Sequence, residues 1–204
     1  MYILKKTVMT EAKNGTKIDG RIQRSERSSQ AIVDALLALI EEGTLVPTAQ
    51  QISSRAGVGI RTLFRQFSDM DSLFDALDMQ LRDSYEAFFS VGDRSGTLAQ
   101  RLQYAIERRA AGYEKNKLLM QSTRAHAWKS ASLQKNYRRA QRDLRSDLED
   151  WLPEIKSLPA AQQEAVDMLA SPESWHRLRE EQGLAIETAI AVVVDTVALL
   201  VAVD

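Results

Sequence analysis

Cysteine is absent from all 204 residues, which removes disulfides, thiolate metal sites and cysteine nucleophiles together. Histidine is nearly absent as well. His126 and His176 stand far apart in the chain and belong to no metal-ligand spacing, and no glycine-rich loop of the phosphate-cradling kind is present. Carboxylates are plentiful on the expected helix faces, so counting does not exclude a pair of acids. Even so, this inventory points away from an enzyme, and no metal or cofactor is expected. Alternating runs of β-branched residues are also missing, and only four prolines and nine glycines interrupt a chain rich in Ala, Leu, Gln, Glu and Arg. An all-α fold is the expectation, without repeats in the 20–50-residue range. Lack of a signal-like apolar start and lack of cysteine fit a cytoplasmic protein. The apolar stretch 185–203 carries Glu187 and Asp195 and reads as a buried helix, so no membrane partner is expected.

A net charge of −1 rules out global attraction as an argument for nucleic-acid binding, but the charge is unevenly placed. Lys5, Lys6, Lys13, Lys17, Arg21, Arg24 and Arg27 face only Glu11, Asp19 and Glu26 over residues 1–27, an excess of +4. Residues 1–25 therefore read as a basic flexible arm, either a phosphate-contacting segment or a solvated terminus.

The periodicity predicts a first helix over 28–42 on Ile32, Leu36, Leu39 and Ile40, stopped by Gly43. Thr48-Ala49-Gln50-Gln51 is a capping-box pattern opening a second helix that ends at Gly57. After a very short turn, Ile60–Phe67 forms a third. Two short helices across a glycine turn make a helix-turn-helix. On a wheel, Ile60, Leu63, Phe64 and Phe67 fall inward, and Arg61, Thr62, Arg65 and Gln66 fall outward. That outer side is short, polar, positive and free of carboxylates, which suits a major groove: Arg bonds guanine O6 and N7, and Gln bonds adenine N6 and N7. Taken alone, the same face is equally that of a solvated helix hairpin.

The segment Thr48-Ala49-Gln50-Gln51-Ile52 through Ser72-Leu73 resembles the DNA-binding signature of the TetR family of bacterial transcriptional regulators. Ile52, Ala56, Gly57, Val58, Thr62, Leu63, Arg65, Phe67 and Leu73 stand at positions that recur in that family, and the likeness extends over residues 30–81. Later helices resemble the family in length and order only, apart from residues 175–184. The resemblance implies DNA-binding residues Thr48, Gly59, Ile60, Arg61, Thr62, Phe64, Arg65 and Gln66, with Ile60 reaching a thymine methyl. Four positions depart from the pattern: Gly59 replaces Ser or Thr, Phe64 replaces Tyr, Gln66 replaces His or Tyr, and Met70 replaces Lys. Phe64 has no phenolic hydroxyl and Met70 no charge for phosphate, a loss that the arm and Arg61/Arg65 are expected to offset.

Beyond residue 96, helices are expected at 97–115, 117–128, 133–151, 159–181 and 185–203. On the last, Glu187, Ala191, Asp195, Ala198 and Ala202 gather in one sector and the rest is Ile, Val or Leu, so burial on more than one side is required. A wholly internal helix and a dimer interface both satisfy this. The resemblance implies a homodimer through the last two helices, reading a palindromic operator in double-stranded DNA as a repressor. It also implies a small-molecule effector held among Phe88, Phe89, Tyr104, Tyr113, Met120, Arg124, Trp128 and Trp151. The expected organisation is thus a basic arm (1–25), a three-helix DNA-binding domain with the helix-turn-helix (26–75), and a helical ligand-binding and dimerisation domain (76–204). The alternative is a helical protein-interaction adaptor without sequence-specific DNA affinity. Its contact surface would be the basic stretch 135–145, although Asp143 within it suggests a solvated helix.

Overall fold

The computed structural model describes residues 20–90 and 92–201, the side chains at 20–21, 83–84 and 86–90 excepted. Among these residues there are helices and no strand. Three helices form an N-terminal head: α1 (Gly20–Glu41), α2 (Ala49–Arg55) and α3 (Ile60–Gln66). A long α4 (Met70–Ser90) leads into the body, built of α5 (Leu98–Lys115), α6 (Lys117–Ala127), α7 (Ala131–Trp151), α8 (Ala160–Leu169), α9 (Pro172–His176) and α10 (Ile186–Val201). A 3-10 turn at Pro153–Ser157 and a π turn at Arg177–Glu181 complete the path.

The head folds around residues close in sequence. Ile32, Leu36 and Ile40 of α1 meet Ile52 of α2, Leu63 of α3 and Leu73 of α4, all six fully buried. Each such burial is worth about 1.5–3 kcal/mol, a large stabilisation for so short a segment. Thr48 caps α2 as its spacing predicts. Its hydroxyl accepts the Gln51 N–H at 3.2 Å, and Gln51 Oε1 accepts the Thr48 N–H at 2.9 Å. Asp69 opens α4 by accepting the Ser72 N–H at 2.7 Å. That bond and the Ser72 hydroxyl hold the Asp69 carboxyl below its ordinary value.

Two expectations about the elements change. The first helix begins at Gly20 rather than Ser28, so the C-terminal end of the basic arm is helical. Residues 1–19, with Lys5, Lys6, Lys13 and Lys17, lie outside the described residues. The single helix expected over 159–181 is three pieces, because Ser171 and Pro172 start a new helix there. Ser171 Oγ accepts the Ser174 N–H at 3.2 Å, and Pro172 needs no N–H partner in the first turn.

The body has its own core, where Leu102 and Ile106 of α5 pack with Leu148 and Trp151 of α7, Val166 of α8 and Val193 and Val197 of α10. Head and body are joined through α4. Its Leu73, Phe74 and Leu77 lie in the head's core, and one turn on, Leu81 reaches the interior of the body. Ser122 of α6 adds a cross-link: its buried hydroxyl donates to the Leu45 carbonyl, between α1 and α2, at 2.7 Å. No helix among the described residues is long and apolar enough to cross a membrane.

Candidate nucleic-acid interface and interior cavity

The turn between α2 and α3 works because Gly57 takes φ +66°, a left-handed conformation costly for residues with a Cβ. Gly59 then precedes α3 in extended conformation without a side-chain cap. Leu63 is fully buried and Phe67 nearly so, and these two anchor the helix. Two other residues on α3 are more open than the wheel implied. Ile60 is 40% and Phe64 47% exposed, so both belong to the outer surface rather than the inner face. The reason is geometric: α3 packs chiefly on α1 and α2, and a seven-residue helix with its main neighbours on one side buries a single stripe.

Arg61 and Arg65 are exposed, and among the described residues neither has an ion-pair partner. Arg55 of α2, by contrast, pairs with Glu42 at 2.5 Å. Arg24 and Arg27 are exposed on the first turns of α1. Those turns lie beside α3, since Gln66 Nε2 donates to Ser25 Oγ at 3.1 Å. Two expected DNA-contacting side chains therefore already have partners within the protein. Gln66 is engaged with Ser25, and the Thr48 hydroxyl with Gln51. Thr62 is half-buried.

Within the body, α4, α5, α6 and α7 enclose a cavity of about 400 Å³. Phe74, Leu77, Leu81, Leu119, Leu133 and Leu144 make its apolar wall. Two charged clusters interrupt that wall. In one, Arg139 donates to both oxygens of Asp78 at 2.9 and 2.8 Å, and Arg82 joins at 2.9 Å. In the other, Asp147 lies 3.4 Å from Arg94 and 3.3 Å from Arg109. Burial pushes the Asp147 carboxyl above its ordinary value, although three nearby guanidiniums pull the other way. Tyr85 also faces the cavity, and burial raises its hydroxyl well above its ordinary pKa.

Residues 32–77 match the model for bacterial regulatory proteins of the tetR family. The stretch spans both short helices, the Gly57 turn and the core half of α4. The head of this chain is thus similar to the tetR family. Most of the chain is similar in fold to a transcriptional regulator from Rhodococcus sp. Rha1, at 19% identity over 86% of this chain and 96% of that one, with a TM-score of 0.60. A proposed transcriptional regulator from Streptomyces coelicolor A3(2) gives 19% identity, 89% and 99% coverage and a TM-score of 0.58. No curated protein matches the chain by sequence. This likeness supports reading the chain as a DNA-binding transcriptional regulator.

In this chain, the positions that depart from the family pattern have clear surroundings. Phe64 offers an apolar ring on the outer face, and Met70 packs partly buried against the head's core. Of the residues expected around an effector, Tyr113 and Met120 line the cavity. Three do not. Trp151 is 1% exposed in the body's core, Tyr104 stacks on it at 5.0 Å between ring centroids, and Trp128 is 72% exposed with Lys129 over its ring. Arg124 is exposed and borders only a recess of about 40 Å³ beside Tyr113. The side chains of Phe88 and Phe89 lie outside the described residues. Most of the cavity's polar wall, including Asp78, Arg94, Arg139 and Asp147, escaped the sequence reading. On a wheel these residues look like ordinary solvated charge.

Proposed function

We propose that this regulator is a cytoplasmic, ligand-responsive repressor that binds a palindromic operator as a homodimer. The observation that carries the DNA reading is the outer face of α3: Arg61 and Arg65 held in solvent without acidic partners, with Ile60 and Phe64 beside them. Arginines so placed reach guanine edges or phosphates, and Ile60 and Phe64 suit thymine methyls and sugars. Gly59 lets the backbone approach closely, and Thr62 stands at the edge of the contact. Thr48 and Gln66 contribute by fixing the ends of the two helices and contact DNA only if they exchange their present partners. The arm, residues 1–25, supplies phosphate contacts to a DNA-binding domain of residues 26–75, and residues 76–204 bind effector and dimerise.

A second copy of this chain is the natural cover for the exposed apolar residues on α8 and α10. Met168 is 61%, Val192 38% and Leu199 75% exposed. Two-fold pairing there sets two copies of α3 on one side of the dimer, where a spacing of about 34–36 Å matches one turn of DNA. An effector in the cavity lowers DNA affinity by favouring another head spacing. The shift is limited to its differential affinity for the two states. Helix α4 supports this coupling, since it belongs to both the head's core and the cavity wall.

Selection of random duplex DNA by the purified protein, followed by titration of the winners at two salt concentrations, tests the reading. A palindromic winner weakened on Arg61→Ala by about 1–3 kcal/mol, with relaxed base preference, is the expected result. No enrichment would replace it with the helical adaptor.

A further inference from the structure

The two charged clusters in the cavity wall are built alike and satisfied differently. Each is one carboxylate shared by two guanidiniums. Around Asp78 the contacts are 2.8–2.9 Å, the range of charge-assisted hydrogen bonds, and Asn136 also accepts from Arg139 at 3.3 Å. That cluster is a closed clasp between α4 and α7. Around Asp147 the contacts stretch to 3.4 and 3.3 Å, beyond that range. The Nε atoms of both Arg94 and Arg109 lack a hydrogen-bond partner among the described residues, as Arg82 Nε does in the first cluster, so the difference between the clusters lies in the longer contacts to Asp147. Arg109 is 3% exposed, and its other nitrogens are turned to the Leu144 carbonyl and the Tyr113 hydroxyl. A buried cation such as Arg109 is costly when its carboxylate is held this loosely, and the half-buried Arg94 beside it opens onto the cavity, where an anion can complete the pair.

We propose that the cavity takes an amphipathic organic anion: an aliphatic or aromatic body bearing a single carboxylate, with the carboxylate received at Arg94. Arg94 lies in the cavity wall and is held over the Trp151 ring, 4.8 Å from its centroid. Arg109 stands behind it on the same aspartate, so the site keeps at least one positive charge in excess of Asp147. Asp143 and Asp150 border the cavity but are exposed to water, which screens them. Phe74, Leu77, Leu81 and Leu133 supply the dry surface for the body of the ligand, and about 400 Å³ is room for a drug-sized molecule. A neutral ligand leaves the excess charge uncompensated, and a cationic one adds to it. Asp147 is the repelling neighbour that keeps affinity moderate.

This inference rests on reading the cavity as the effector site, and direct binding separates the two. Isothermal titration of the full chain at neutral pH would use decanoate, decanol and decyltrimethylammonium, each below its aggregation limit. Decanoate is expected to bind at least tenfold tighter than decanol, and the cation more weakly than either. Arg94→Gln should erase the preference for decanoate while decanol affinity stays unchanged, and that retained affinity shows that the fold is intact. Asp147→Asn should tighten decanoate severalfold, the opposite of what a merely structural aspartate gives. Equal affinity for decanoate and decanol in the unsubstituted protein, or weaker decanoate binding in Asp147→Asn, overturns the proposal. If Arg94→Gln does not fold, Asp147→Asn and the three-ligand comparison still decide it. Adding decanoate to a selected operator complex then tests the coupling. Release upholds both readings, whereas decanoate binding without release keeps the site and overturns its effector role.

Discussion

Arg61 and Arg65 stand on the outer face of α3 with no carboxylate paired to them among the described residues, whereas Arg82, Arg94, Arg109 and Arg139 in the body each meet an aspartate. The difference follows from what surrounds each group. Water solvates a cation on a short exposed helix at no cost to the fold, and the charge stays available to a polyanion. A cation in a cavity wall has lost part of that water and is paired with an acid, so it becomes part of the architecture. Charge in the head is therefore expected to act on DNA binding, and charge in the body on stability and on what the cavity holds.

The largest effect expected in the head is not electrostatic. Leu63 is fully buried where α3 meets α1 and α2, so Leu63→Ala should cost about 2–5 kcal/mol and abolish operator binding. Chemical denaturation followed by circular dichroism measures the first and a DNA titration the second. Arg61→Ala should leave the same denaturation midpoint within about 0.5 kcal/mol of the unsubstituted protein, as surface changes do. A fold weakened equally by both would erase the contrast between anchoring and reading residues.

Next comes the clasp in the body. Asp78→Ala removes the carboxylate that Arg139 and Arg82 share, and a loss on the order of 1–2 kcal/mol is expected, moderated because both guanidiniums keep some water and Arg139 keeps Asn136. The readout is the denaturation midpoint, with operator sequence preference unchanged. An altered preference with intact stability would mean that body charge acts on DNA reading, against the division proposed above.

Thr48→Ala should cost about 1 kcal/mol, because it removes the hydroxyl that caps α2. Weaker operator binding in proportion to lost stability fits a capping role. A change in base preference at full stability would show that Thr48 touches DNA itself.

What the sequence made visible follows the same division. The Thr48–Gln51 box, the Gly57 turn and the Leu63/Phe67 anchors depend on neighbours within a few residues, so spacing alone reveals them. A wheel gives direction but not the width of the buried stripe, so it turns Phe64 inward although α3 has too few neighbours to cover it. The cavity is the opposite case. Arg139 and Asp143 sit in a stretch that reads as a solvated basic helix, and only packing of α4 against α7 turns Arg139 toward Asp78. Trp128 shows the converse error, since a large aromatic suggests a pocket wherever it falls, and here it points into water. The break at Ser171-Pro172 was legible in principle, as a cap residue followed by a first-turn proline.

The smallest effect expected is a pH dependence in the body. Glu114 of α5 accepts from Trp175 Nε1 at 2.9 Å and from Arg179 Nε at 2.8 Å, tying α5 to α9 and the π turn. Burial by itself would raise its carboxyl, but the bonds from Arg179 and Trp175 outweigh it, and the group lies below its ordinary value of 4.5. A carboxyl depressed by folding stabilises the fold fully above the unfolded value and loses that contribution as pH falls through the folded one. Glu114→Gln should therefore be less stable than the unsubstituted protein at pH 7 and at pH 5 by the same margin. Below pH 4.5 the margin should shrink, as protonation makes the native residue resemble the amide. Urea midpoints for both proteins across that range measure it. A margin that persists undiminished at pH 3.5 would mean that the charge on Glu114 contributes nothing, and that Arg179 is held by the Leu184 carbonyl it also reaches.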